Sequence, residues 1–109
     1  MDRPEISVII PSYNEADTIG GIISEIETLL PGSEIIIIND GSTDNTVDAA
    51  KEAGAIVYNH PYNMGNGAAV KSGIRIASGD ILVFMDGDRQ HNPRDIKRII
   101  EYFLITTFN

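Results

Sequence analysis

Ile81-Leu82-Val83-Phe84-Met85-Asp86-Gly87-Asp88 decides the reading of this chain. Five consecutive apolar residues are too few for a helix buried all round and suit a strand covered on both faces. Two carboxylates follow where the strand runs out, with one glycine between them. In open α/β sheets, ligands bind outside the carboxyl ends of the strands. Paired hard oxygen donors at such a place suit a divalent cation, Mg²⁺ or Mn²⁺. Read alone, Asp86-Gly87 is more readily a turn with solvated charges, and it is the rest of the chain that reverses this.

Working outward, two more apolar runs have the same form. Ile6 to Ile10 reads as a strand ended by Pro11, and Ile35 to Ile38 as a second strand ending in Asn39-Asp40. Ala55 to Tyr58 is a shorter third. Between them lie stretches of helical periodicity. Ile19, Ile22, Ile23, Ile26, Leu29 and Leu30 recur at three- and four-residue spacing, which predicts a helix over 17–30 capped by Asp17 or Thr18 and stopped by Pro31-Gly32. A second helix is expected from a Ser42 or Thr43 cap to about Ala53, with Gly54 in the left-handed position behind it. A third falls near Gly67 to Ser78, and a fourth follows Asn92-Pro93. Strands alternating with helices in this way imply an α/β, doubly wound, mostly parallel sheet of about four βα units, with right-handed crossovers. The polar clusters at 11–15, 39–44 and 86–91 then fall at carboxyl ends of strands and share one cleft.

Composition narrows the chemistry. The 109 residues suffice for one small domain with its own core, and 42% of them are hydrophobic. Cysteine is absent, so neither disulfides nor thiolate metal sites enter. No apolar run approaches a membrane span and the charged start is unlike a secretory signal, so a cytoplasmic location is the expectation. Sixteen acidic against eight basic residues give a net charge of −8, which disfavours nucleic acid as a partner. A diphosphate would be repelled by such a chain unless a metal ion or backbone N–H groups neutralise it, which favours a metal-assisted site over an arginine clamp.

Each cluster has a structural as well as a functional reading. Asp40, at a strand tip, suits hydrogen bonds from a base or ribose, whereas Ser42, Thr43 and Asp44 suit helix capping. Tyr13 can pack on a base and Glu15 can accept from a ribose hydroxyl, or both belong to a loop and a helix start. Asn63-Met64-Gly65-Asn66-Gly67-Ala68-Ala69 lacks the ending of a P-loop, and no G-x-G-x-x-G follows the first strand. Gly65 and Gly67 either let backbone approach a nucleotide or serve close helix–sheet packing. Lys71 and Arg75 read as solvated, His91 as a cap or solvent-facing group, and Arg89, Arg94, Lys97 and Arg98 as the wet face of the fourth helix. His60 has no partner that the sequence identifies.

Taken together, Ser7 to Glu15, Asn39-Asp40-Gly41-Ser42-Thr43-Asp44, Asn63-x-Gly65-x-Gly67-Ala68-Ala69, Gly79-Asp80 and Asp86-Gly87-Asp88 resemble the family 2 glycosyltransferases of GT-A fold. The continuation Gln90-His91-x-Pro93 is similar to the dolichyl-phosphate mannose synthase and polyprenyl-phosphate sugar transferase branch. The resemblance implies transfer of a sugar from a nucleotide-sugar donor of the GDP-mannose or UDP-glucose type, with a polyprenyl phosphate as acceptor. It implies that Asp40 binds the nucleobase, with Pro11, Tyr13 and Glu15 around base and ribose. Asp86 and Asp88 would be the D-x-D pair holding Mg²⁺ or Mn²⁺ against the diphosphate, and Asp88 and Gln90 the catalytic residues, with Gln90 beside metal and donor sugar. Asn66 departs from the lysine or arginine that many relatives carry there.

The family domain is about twice this length. The chain is therefore expected to be a single donor-binding half-domain, 1–109, whose acceptor half is absent and which is inactive alone. An open edge beside the fourth strand, with Phe103, Leu104, Ile105 and Phe108 unpartnered, is expected to favour self-association. Peripheral membrane association is expected of a full-length form. The alternative is a noncatalytic nucleotide-sugar-binding or regulatory module.

Overall fold

The computed structural model describes residues 4–85 and 105–106. The element order is β1 (Ile6–Ser12), α1 (Ala16–Leu29), β2 (Glu34–Asn39), α2 (Thr46–Glu52), β3 (Ile56–Asn59), α3 (Asn66–Ile76), β4 (Ile81–Phe84) and β5 (Ile105–Thr106). One sheet holds the strands in the order β3-β2-β1-β4-β5. Its first four strands are parallel, and β5 is antiparallel to β4.

The continuous apolar runs are explained by helices on both faces. Val8 and Ile10 of β1, Ile35 and Ile37 of β2, and Val83 pack with Ile19, Ile22, Ile23 and Ile26 of α1 and Ala50 of α2. Ile9, Ile36, Ile38 and Leu82 point the other way and meet Ala69 of α3. Alternate residues thus serve opposite layers, and the polar residues of β1 and β2, Ser7, Ser12, Glu34 and Asn39, fall at or next to the strand ends. Burying each such isoleucine or leucine stabilises the fold by roughly 1.5–3 kcal/mol relative to leaving it exposed.

α3 lies unusually close to the sheet because of Gly73. A Cβ there would sit 2.5 Å from Ile9 Cγ2. Gly65 and Gly67 have nothing within 4 Å of that position, so helix–sheet packing does not explain them. Ile74 of this helix is 43% exposed.

Several boundaries differ from the expectations. Pro11 does not end β1: it pairs with Ile38 and the strand runs to Ser12. Ile9 O accepts from Met85 N–H and Ser12 O from Asp40 N–H. Odd residues of β1 therefore turn their amides toward β4, and the donor that Pro11 lacks falls where β4 ends. α1 begins at Ala16, with Glu15 in the cap position instead of Asp17 or Thr18. α2 starts at Thr46, because Ser42 and Thr43 bond to the Asn14 segment rather than to the helix. Nor is the edge of β4 open along its whole length, since Ile81 and Leu82 face Thr106 and Ile105 across an antiparallel pair. The fourth helix expected after Pro93, and Phe103, Leu104 and Phe108, lie outside the described residues.

Candidate functional site

The strand order reverses between β1 and β4. The chain proceeds from β1 outward through β2 to β3, then returns to β4 on the other side of β1. A crevice opens at the carboxyl ends of strands at such a switch point. Pro11, Ser12 and Tyr13 leave β1 there, and Met85 N–H donates to Ile9 O at 3.0 Å. Asp86 is the next residue in the chain after Met85. Asp86, Asp88 and Gln90 themselves lie outside the described residues. Among the described residues no group of three or more His, Asp or Glu side chains could hold a metal ion.

The loops after β1, β2 and β3 are knitted into one rim. Asn14, in the left-handed region at φ 53°, gives its N–H to Ser42 Oγ (2.9 Å), and its Oδ1 accepts from Thr43 N–H (2.8 Å). Glu15 N–H donates to Thr46 Oγ1 at 2.9 Å. Asp44 Oδ2 accepts from Ala16 N–H at 3.2 Å, while Oδ1 accepts from Thr46 N–H at 3.0 Å and from the Thr46 hydroxyl. Asp44 thus serves the amino ends of both α1 and α2. Those bonds, the Thr46 hydroxyl foremost, hold its carboxyl below the ordinary value of 3.8 against the opposing effect of burial. Gly41, at φ 83°, lies against the 60–65 loop, and a Cβ there would be 2.8 Å from Asn63 N.

Asp40 is the centre of this rim. It is 6% exposed. Its Oδ1 is 2.9 Å from His60 Nδ1 and accepts from Met64 N–H at 2.8 Å, and Oδ2 accepts from Gly65 N–H at 2.9 Å. Burial works against its ionisation, but the bonds from His60, Met64 and Gly65 outweigh that and hold the carboxyl below 3.8. The Asp40 side chain is therefore not the freely projecting group that a strand-tip position suggests, because it anchors the loop from His60 to Gly65.

His60 is the residue that sequence reasoning missed. It is 6% exposed, with Nε2 2.8 Å from Ser72 Oγ in α3. Ser72 is itself buried, and Arg75 Nη2 approaches its hydroxyl at 3.4 Å. Asp40, His60 and Ser72 have the residue types of a hydrolytic triad, but the buried serine sits within a helix where no substrate reaches it.

The remaining sequence-predicted groups take varied positions. Pro11 is half-buried in β1, Tyr13 is 45% exposed on the rim, and Glu15 is half-buried at the start of α1. Gly65 caps α3 at φ 91°, and Gly67 is exposed in its first turn. Met64 and Tyr62 are also exposed, at 44% and 65%. The structure brings Asp40 and Gly65 into direct contact and links the Tyr13–Glu15 segment to the Asp40 loop through Asn14. Lys71 and Arg75 are exposed, as expected.

Comparison with known proteins agrees with this geometry. The chain is 38% identical over 103 residues to a dolichol-phosphate mannosyltransferase of Pyrococcus furiosus, covering 89% of this chain and 29% of that protein. Its fold matches a mannosyltransferase from Pyrobaculum calidifontis in complex with GDP-Man and Mn²⁺ at a TM-score of 0.70 and 28% identity, over 79% of this chain and 28% of the other. It matches glucosyl-3-phosphoglycerate synthase from Mycobacterium tuberculosis, in complex with Mn²⁺, UDP and glucosyl-3-phosphoglycerate, at 0.70 and 35% identity, over 86% and 37% of the respective chains. The chain spans less than half the length of these relatives. The fold is the Rossmann-like α/β fold of the GT-A glycosyltransferases. The glycosyl transferase family 2 model matches residues 7–107, and the chain belongs to that family.

Proposed function

We propose that this chain carries the donor-binding part of a transferase that moves a sugar from a GDP-mannose or UDP-glucose type donor to a polyprenyl phosphate. The carrying observation is the switch point between β1 and β4, which brings Met85, the residue before Asp86 in the chain, to the crevice where Pro11 and Tyr13 emerge. In this reading Asp40 accepts from the nucleobase, with Pro11, Tyr13 and Glu15 around base and ribose. The backbone at Gly65 and Gly67 approaches the nucleotide, which the open space at both glycines permits.

Asp86 and Asp88 would hold Mg²⁺ or Mn²⁺, to which a pair of hard carboxylate donors is suited. Bound there, the ion supplies Lewis-acid stabilisation to the departing nucleoside diphosphate. Asp88 and Gln90 act at the donor sugar. In a chain of net charge −8, with Asp40 and Asp44 on the rim, the diphosphate needs that neutralisation. The similarity of Gln90-His91-x-Pro93 to the polyprenyl-phosphate branch, together with the Pyrococcus relative, favours a polyprenyl phosphate over a soluble acceptor.

Calorimetric titration with UDP- and GDP-sugars, with and without Mn²⁺, tests this. Expected is binding that needs the metal and is lost in Asp88→Ala. Binding that persists in chelator, or survives that substitution unchanged, overturns it.

A further inference from the structure

We propose that His60 is the positioning residue of the nucleotide site: it orients the Asp40 carboxylate as a hydrogen-bond donor at Nδ1, and Ser72 of α3 holds it in that tautomer. The inference rests on the donor-binding reading above and assigns a role to a residue for which that reading has no use.

The geometry carries it. Both ring nitrogens of His60 are engaged, Nδ1 with Asp40 Oδ1 at 2.9 Å and Nε2 with Ser72 Oγ at 2.8 Å, in a buried chain of three side chains. An ionised carboxylate only accepts, so the nitrogen facing it must carry the proton. Nε2 of a neutral ring is then the acceptor, and the Ser72 hydroxyl is its donor. The opposite tautomer would set two acceptors against each other at 2.9 Å in a buried site, which burial makes costly. Ser72 cannot drift, because it lies on α3, and α3 is pinned to β1 by Gly73 against Ile9.

The consequence falls on Asp40. A carboxylate has about four acceptor positions. Among the described residues His60, Met64 and Gly65 occupy three of them, two on Oδ1 and one on Oδ2. The position left on Oδ2 can receive a single ligand N–H or O–H. Without the His60 bond Oδ1 keeps only the Met64 N–H and Oδ2 the Gly65 N–H, both from the loop that His60 begins, so that this position is less firmly fixed. His60 touches no ligand in this account and acts only through Asp40.

The test uses the two amide replacements of histidine. Asparagine places its side-chain nitrogen near Nδ1, and glutamine places its own near Nε2. His60→Asn keeps a donor toward Asp40 and gives up Ser72, while His60→Gln does the reverse. Titration with UDP- and GDP-sugars in Mn²⁺ should leave His60→Asn within about threefold of the unmodified protein. His60→Gln should weaken by roughly tenfold or more, as expected for loss of a hydrogen bond to a charged group, with the rise in KM and little change in kcat wherever turnover is measurable. Comparable denaturation midpoints for the two variants separate this from a general loss of fold. In the unmodified protein, ¹⁵N NMR of the His60 ring should show the Nδ1–H form. Equal affinities of the two variants, or an Nε2–H ring, overturn the inference while leaving the donor-binding reading intact. An unmodified protein that binds neither nucleotide overturns the reading itself, and the assigned role with it.

Discussion

Asp44 accepts the backbone N–H of Ala16 at 3.2 Å, although 28 residues separate them in the chain. The same carboxylate receives Thr46 N–H, so one exposed side chain closes the amino ends of two helices that pack on the same face of the sheet. The rim of the candidate site is therefore held partly by caps exchanged between neighbouring loops. Asp44→Ala should destabilise the protein by about 1 kcal/mol, the usual cost of a lost cap. Asp44→Asn should cost less, because an amide oxygen still accepts. Urea denaturation of both variants measures this, and equal stability for Asp44→Ala and the unmodified protein would contradict the double cap.

Gly73 and Gly67 lie in one helix and should respond oppositely to the same substitution. Gly73→Ala drives a methyl into Ile9 at 2.5 Å, and overpacking of this kind costs about 1–3 kcal/mol, more than the gain in helix propensity of about 1 kcal/mol. Gly67→Ala meets nothing within 4 Å, so it should leave stability unchanged or raise it by up to about 1 kcal/mol. If backbone at Gly67 approaches the nucleotide, the same methyl weakens binding in a protein that is no less stable. Thermal denaturation paired with nucleotide titration reads both effects. A stabilised Gly73→Ala, or Gly67→Ala with full affinity, would count against the respective assignment.

Acid should loosen the rim and the far end of the sheet together. Glu34, Asp40 and Asp44 all have carboxyls held below their ordinary values by hydrogen bonds formed in the fold. A lowered folded-state value means that the unfolded chain takes up protons first as pH falls. The contribution is full above the ordinary values, 4.5 for Glu34 and 3.8 for Asp40 and Asp44, and disappears as pH drops through the lower folded values. Stability measured by denaturation should therefore be flat from neutral pH to about 5 and decline below that, more shallowly in Asp40→Asn. Stability that rises on acidification would contradict the sign.

The layered sheet was legible because its strands are buried on both faces, and a run such as Ile35 to Ile38 admits no other reading at that length. The side-chain partners at the strand tips were not. Ser42 and Thr43 carry the chemistry of caps for the helix that follows them, yet Asn14, distant in sequence, binds both. His60 stood alone in the sequence because its partners are 20 and 12 residues away. A signal was present nonetheless. β2 and β3 are parallel and end in Asn39-Asp40 and Asn59-His60, with Asn39 opposite Asn59. Aligning the two ends sets Asp40 beside His60. The metal-binding expectation at Asp86 and Asp88 rests on residue chemistry and on where β4 ends, since both residues lie outside the described structure.

The last prediction compares two carboxylates at opposite ends of β2. Glu34, at the amino end, accepts from the Ser7 hydroxyl at 2.7 Å and from both the N–H and the hydroxyl of Ser78 at 2.9 Å. Asp40, just past the carboxyl end, accepts from His60, Met64 and Gly65. Each braces a loop with a similar number of bonds; removal leaves the buried Ser7 hydroxyl and the part-buried donors around Asp40 only partly satisfied by water, whereas Ser78 is exposed. Glu34→Ala and Asp40→Ala should therefore each lower stability, by roughly 1–3 kcal/mol. Amide hydrogen exchange should quicken at Met64 and Gly65 in Asp40→Ala, and at Ser78 in Glu34→Ala. The two variants should part company in nucleotide titration, because only the carboxyl ends of the strands border the crevice between β1 and β4. Glu34→Ala should bind as the unmodified protein does, and Asp40→Ala should weaken by about tenfold or more, the worth of one hydrogen bond to a charged acceptor. Equal losses of affinity in the two variants would show that Asp40 matters to the nucleotide only through general stability, and its place in the site would have to be given up.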